Sequence, residues 1–170
     1  ADAVRVPIIL YTNPNFQRAS LSIDVIERLS RHENIVGLKD ASSDTGRLLS
    51  ISNRCGESLR IYAASTHIGV SVMLLGGAGW FSGPACVIPR QSVRLYNLCV
   101  SRQWDDAMDL QRSLWSFNEL FAKFNLAASV KAALELQGYE VGHPVAPQSP
   151  VDEKGRLLIA DCLRRLQILI

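Results

Sequence analysis

Short apolar runs alternate with amphipathic stretches through the first half of this chain, and that alternation leaves few folds open. Val6–Asn13, Ile35–Ala41, Leu59–Ser65 and Gly79–Ser82 read as strands. Ser22–His32, Asp44–Cys55 and Ile68–Leu75 read as the helices between them. Ile23, Ile26 and Leu29 recur at helical spacing behind a capping Ser22. Asp44 is the corresponding cap of the next helix, and Gly56 stands just past its end. Gly76-Gly77 closes the third. The strands are apolar without clean alternation, as in parallel strands covered on both faces. Strands alternating with helices give an α/β chain with a parallel sheet, open or closed into a barrel.

After Pro84 the pattern changes. Gln91–Arg102, Trp104–Phe124 and Ser129–Gln137 read as helices, a Pro-rich connector spans Gly142 to Pro150, and a last helix runs from Asp152 to Leu169. Trp115, Phe117, Leu120, Phe121 and Phe124 form apolar stripes on the second of these. Core or subunit packing explains such stripes better than a cofactor box.

The chain has 170 residues, 48% hydrophobic and 20% charged, which suits a globular domain with a sizeable core. A net charge of +2 gives no reason to expect nucleic acid or a membrane surface as partner. No apolar run reaches membrane-spanning length. Cys55, Cys86, Cys99 and Cys162 lack paired metal-ligand spacing and read as reduced thiols of a cytoplasmic protein. His32, His67 and His143 are too dispersed for a zinc site. A start at Ala1, close to the first strand, suggests a processed chain or a piece of a larger domain.

Two residues carry the chemistry. Tyr11 and Lys39 each end an apolar strand, and the carboxyl ends of parallel strands converge on one mouth, where α/β barrels place their active sites. A lysine in such a mouth can attack a carbonyl to form a Schiff base, and a phenol beside it can move the protons. Taken alone, Lys39 would read as a snorkelling surface residue and Tyr11 as a packing residue.

The motifs around these residues resemble the dihydrodipicolinate synthase / N-acetylneuraminate lyase family. Tyr11-Thr12-Asn13-Pro14 is similar to its Tyr-Asn-x-Pro motif. Gly37-Leu38-Lys39-Asp40 matches its Gly-x-Lys-[Asp/Glu]. Leu74-Leu75-Gly76-Gly77-Ala78-Gly79 with Ser82, and Lys131-Ala132-Ala133-Leu134 with Gly138, match later segments. The resemblance implies a (β/α)8 TIM-barrel type fold, here strands five to eight plus the C-terminal helices. Residues 1–84 would form the second half of the barrel, and 85–170 the last barrel helix with a helical extension. It implies Lys39 as Schiff-base nucleophile and Tyr11 as proton shuttle on pyruvate or a related 2-oxo acid. Ser65, Thr66, Gly79 and Phe81 would line the substrate site, with no cofactor and no metal. His67 is a weak acid/base candidate, and N-capping explains Ser65 or Thr66 equally well. Asp40 pairs locally or caps and receives no chemical role. A homo-oligomer, dimer or tetramer, is expected.

The sequence departs from the family where a synthase grips its aldehyde substrate. Phe16 stands in place of an arginine, with Arg18 nearby, and Ala63-Ala64-Ser65 in place of Ser-Gly-Asp. A lyase, aldolase or dehydratase acting on a more apolar or differently hydroxylated 2-oxo acid fits these changes. Four strands cannot close a barrel. The alternative reading is therefore an incomplete half-barrel, a fragment or a subunit needing a chain that supplies the first half. An open nucleotide-binding domain lacks the Gly-rich loop it would need after the first strand.

Overall fold

The computed structural model describes all residues except 15, 16, 18, 19, 43, 65–67 and 170. The expected site residues Ser65 and Thr66 lie outside the described residues, as do Phe16, Arg18 and His67. The chain divides into two compact units, Ala1–Phe81 and Ser82–Ile170.

The first unit alternates β1 (Ile8–Thr12), α1 (Ile23–Leu29), β2 (Ile35–Asp40), α2 (Thr45–Cys55), β3 (Arg60–Ala63), α3 (Gly69–Leu74) and β4 (Gly79–Trp80). The strands form one sheet in the order β1-β2-β3-β4, and each neighbouring pair is parallel. This is the repeating strand–helix unit of a TIM barrel, with half the strands of an eight-stranded one. The caps lie where the sequence puts them. The Ser22 hydroxyl accepts from the Val25 N–H, and the Asp44 carboxylate from the Arg47 N–H at 2.8 Å. Gly77 abuts the end of α3: its N–H donates to the Val72 carbonyl at 2.8 Å, and a Cβ there would lie 2.7 Å from that oxygen. Only glycine permits so close an approach.

One face of the sheet is covered. Leu38, Ile61 and Ala63 from the strands pack with Ile26, Leu48, Ile51 and Val72 from the three helices. The other face carries side chains that are apolar and exposed, with Ile9 at 38% and Tyr11 at 45%. Burial along β1 therefore alternates, although its sequence does not. The apolar run is continuous because both faces carry apolar residues, and the helices of this unit cover one.

The second unit is helical: α4 (Pro89–Val100), α5 (Trp104–Ser113), α6 (Trp115–Lys123), α7 (Leu126–Leu136) and α8 (Glu153–Arg165) follow a short 3₁₀ turn at Pro84–Cys86. The helix expected over Trp104–Phe124 is two. Leu114 marks the corner between them, 1% exposed. Leu114, Phe117, Leu120 and Phe121 all enter one core with Val87, Ile88, Ile159 and Leu163, while Trp115 stays exposed. Helical hydrogen bonds still run through the junction, from the Leu114 N–H to the Leu110 carbonyl at 3.1 Å and from the Asn118 N–H to the Leu114 carbonyl at 3.2 Å. Helix α7 starts earlier than its expected Ser129, because the Asn125 side chain accepts from the Ala128 N–H at 3.2 Å and caps it. No helix among the described residues is long and apolar enough to cross a membrane.

Candidate active site

Parallel pairing sets three strands in one row. Tyr11 of β1 stands opposite Lys39 of β2, and Lys39 opposite Tyr62 of β3. Tyr62 in turn stands opposite Gly79 of β4. Residues at one height in a parallel sheet point the same way, so the three side chains share the face away from the helices. Lys39 is half-buried there, with Nζ 3.9 Å from the centre of the Tyr11 ring and 5.9 Å from that of Phe81. The structure thus brings together Tyr11, Lys39 and Phe81 among the expected residues, with Gly79 in the same row.

Each member is fixed from behind. The Asn13 amide donates to the Tyr11 hydroxyl at 2.7 Å, and Asn13 is 6% exposed. Gln17 bridges the turn after β1: its side chain accepts from the Asn13 N–H at 2.9 Å and donates to the Tyr11 carbonyl at 3.2 Å. The Phe81 N–H donates to the Ala63 carbonyl at 2.8 Å, which extends the β3–β4 pairing past Trp80. Trp80 faces the helix side, where its ring would lie 3.1 Å from a Cβ placed on Gly69. The Phe81 ring meets Tyr62 edge to face, centres 5.1 Å apart. Tyr62 owes its position to Gly37, whose missing Cβ would sit 3.0 Å from the tyrosine ring.

Asp40 follows Lys39 and points to the opposite face, fully buried. Its carboxylate accepts from the Ser42 N–H at 2.7 Å and faces the Arg47 guanidinium at 3.4 Å. Arg47 also donates to the Leu21 carbonyl at 2.6 Å. This tether ties the end of β2 to the start of α2 and to the segment before α1. It anchors the backbone that presents Lys39.

An amine set against a phenol ring at the carboxyl ends of parallel strands has the chemical means to attack a carbonyl and to exchange protons beside it. Among the described residues, no group of three or more His, Cys, Asp or Glu is placed to hold a metal ion.

The family model for the dihydrodipicolinate synthetase family matches residues 1–166. The chain belongs to the dihydrodipicolinate synthetase family. It is 30% identical over 168 residues to a 4-hydroxy-tetrahydrodipicolinate synthase of Methanococcoides burtonii, covering 98% of this chain and 57% of that relative. It is 31% identical over 163 residues to the enzyme of that name from Phenylobacterium zucineum, covering 96% of this chain and 55% of the relative. The fold is that of the dihydrodipicolinate synthase of Aquifex aeolicus, with a TM-score of 0.94 at 22% identity over 99% of this chain and 58% of that one. The chloride-inhibited dihydrodipicolinate synthase of Acinetobacter baumannii, solved with pyruvate, matches with a TM-score of 0.92 at 25% identity over the same shares. The chain therefore spans a little over half the length of the family members it matches.

Sequence reasoning passed over Tyr62 and the support from Asn13. Tyr62 lies inside an apolar run, and its closeness to Lys39 depends on strand register. Asn13 stands two residues from Tyr11 on the same strand path, a spacing that alone could have suggested the contact.

Proposed function

We propose that this chain carries the nucleophile and proton shuttle of a class I aldolase or lyase acting on pyruvate or a related 2-oxo acid. The observation that supports it is the Lys39 amine 3.9 Å from the Tyr11 ring centre, on adjacent parallel strands of a dihydrodipicolinate synthetase family chain. The pyruvate-bound Acinetobacter baumannii relative points to the substrate class. The unprotonated Lys39 amine attacks the keto carbon. The C–N bond forms as the carbonyl π bond breaks, and the oxygen takes the proton that the attacking nitrogen gives up. The resulting carbinolamine loses water after a second proton reaches its hydroxyl. Overall, amine, ketone and one proton give a protonated imine and water. The imine then accepts the electron pair of a breaking C–C bond or of the C3–H bond, and the enamine so formed can expel a protonated hydroxyl as water. Tyr11 carries protons to and from the oxygen in these steps, with Asn13 holding its hydroxyl. Phe81 and Gly79 border the bound acid, and Ser65 and Thr66 are assigned the same substrate-binding role. No metal or organic cofactor takes part, so EDTA leaves the reaction unchanged.

The test is peptide mass spectrometry after incubation with pyruvate and sodium borohydride. A reduced adduct is expected on Lys39 and absent from Lys39→Ala. An adduct that persists in Lys39→Ala, or forms on another lysine instead, sinks the assignment.

The length match favours a second reading of how the chain works, as a half-barrel that presents this site when complemented by the remaining strands. The exposed Ile9, Tyr11 and Phe81 on the face that carries Lys39 support it. Native mass spectrometry tests it, because a stable monomer that traps pyruvate by itself removes the need for a complement.

A further inference from the structure

We infer that Phe81, oriented by Tyr62, closes an aromatic box with the Tyr11 ring around the Lys39 nitrogen, and that this box binds the cationic imine formed there. The inference rests on the Schiff-base reading and assigns a part of that site to Tyr62, which no motif marks.

The geometry carries it. A cation within about 6 Å of an aromatic centroid is drawn to the negative face of the ring. Nζ of Lys39 stands at 3.9 Å from Tyr11 and 5.9 Å from Phe81. Phe81 is 43% exposed, so it does not serve as core filling. Its orientation is nonetheless fixed, by the edge-to-face contact with Tyr62 at 5.1 Å. Tyr62 is fixed in turn, because Gly37 leaves the ring a place that a Cβ would contest at 3.0 Å. Two residues from two strands, Gly37 of β2 and Tyr62 of β3, thus set the position of the Phe81 ring.

Imine formation moves the charge toward Phe81. In a protonated imine the positive charge is shared between nitrogen and the former keto carbon. The former keto carbon is bonded directly to Nζ, roughly 1.3 Å from it. If directed at Phe81, whose centre is 5.9 Å from Nζ, it comes to within roughly 4.6 Å of the ring centre, well inside cation–π reach. The uncharged carbinolamine gains no such attraction. The box thus favours the charged imine over the neutral adduct that precedes it and draws the dehydration step forward. Any 2-oxo acid small enough to put its keto carbon beside Nζ belongs to the class it accepts.

The test is the pH dependence of borohydride trapping on Lys39 at limiting pyruvate, in the wild type, Phe81→Leu, Phe81→Trp and Tyr62→Leu. Phe81→Leu keeps an apolar side chain and removes the ring. Its trapped fraction at neutral pH should fall about three- to tenfold, the range for a partly desolvated cation–π contact. The alkaline limb of its profile should also move to lower pH, because the imine holds its proton less tightly. Phe81→Trp should restore both, and Tyr62→Leu should show a smaller change in the same direction. Trapping in Phe81→Leu with the yield and alkaline limb of the wild type overturns the box while leaving the Schiff-base reading intact. A wild type that forms no adduct on Lys39 overturns both.

Discussion

Replacing Arg47 by Met should destabilise the first unit far more than loss of a surface charge. Asp40 is fully buried, while the Arg47 side chain is 18% exposed. The variant leaves the carboxylate with the Ser42 N–H but without its countercharge. It also frees the Leu21 carbonyl from its 2.6 Å bond. Breaking a buried pair from one side costs about 3–5 kcal/mol, because the remaining charge is neither hydrated nor compensated. An exposed pair contributes about 0–1 kcal/mol. The two cases separate cleanly in urea denaturation followed by circular dichroism, with the midpoint read at constant slope. Asp40→Asn combined with Arg47→Met should recover part of the loss, since the orphaned charge is gone. A single variant costing less than about 1 kcal/mol, or a double variant no more stable than the single, refutes the account of the tether.

Tyr11→Phe keeps the ring under Lys39 and removes the hydroxyl, so the trapped adduct should form about 10²–10⁴-fold more slowly yet reach a similar final yield; an unchanged rate rules out the shuttle. Gly77→Ala should cost about 1–3 kcal/mol in the same denaturation assay, because its Cβ would stand 2.7 Å from the Val72 carbonyl oxygen. Cys86 is exposed, whereas burial pushes the Cys99 thiol up, so less of it is thiolate at any given pH. Iodoacetamide at pH 8 should therefore label Cys86 first and Cys99 only after unfolding, and equal rates would contradict the burial. The Cys99 contribution to stability is intact below the ordinary thiol range of about 8.5 and declines above it, where the unfolded thiol ionises first.

The parallel sheet and its intervening helices were legible because apolar runs and caps are local signals. Ser22 and Asp44 each cap the helix they precede. The break at Leu114 was not legible. No Gly or Pro marks it, and the apolar pattern runs through it. Leu110, Leu114, Phe117 and Phe121 follow one helical face into the second core on both sides of it, so the periodicity carries no sign of the break. Lys39 and Tyr11 stood out because residue type, strand end and motif agreed. Tyr62 did not, since its meaning depends on lying opposite Lys39 across β2 and β3. Asp40 was readable only as a local partner; its contact with Arg47 spans a turn whose shape the sequence does not give.

Neighbouring positions 39 and 40 hold opposite charges on opposite faces of one strand. If β2 paired one residue out of place, every side chain would change sides. The ammonium of Lys39 would enter the helix-packed interior without a carboxylate, and the Asp40 carboxylate would take its place in the cleft. Such a misaligned chain would lose the Lys39 amine from the face it shares with Tyr11 and, through an unpaired interior cation, its stability. Two adjacent residues thus penalise a one-residue slip of β2, and the same penalty keeps Lys39 beside Tyr11.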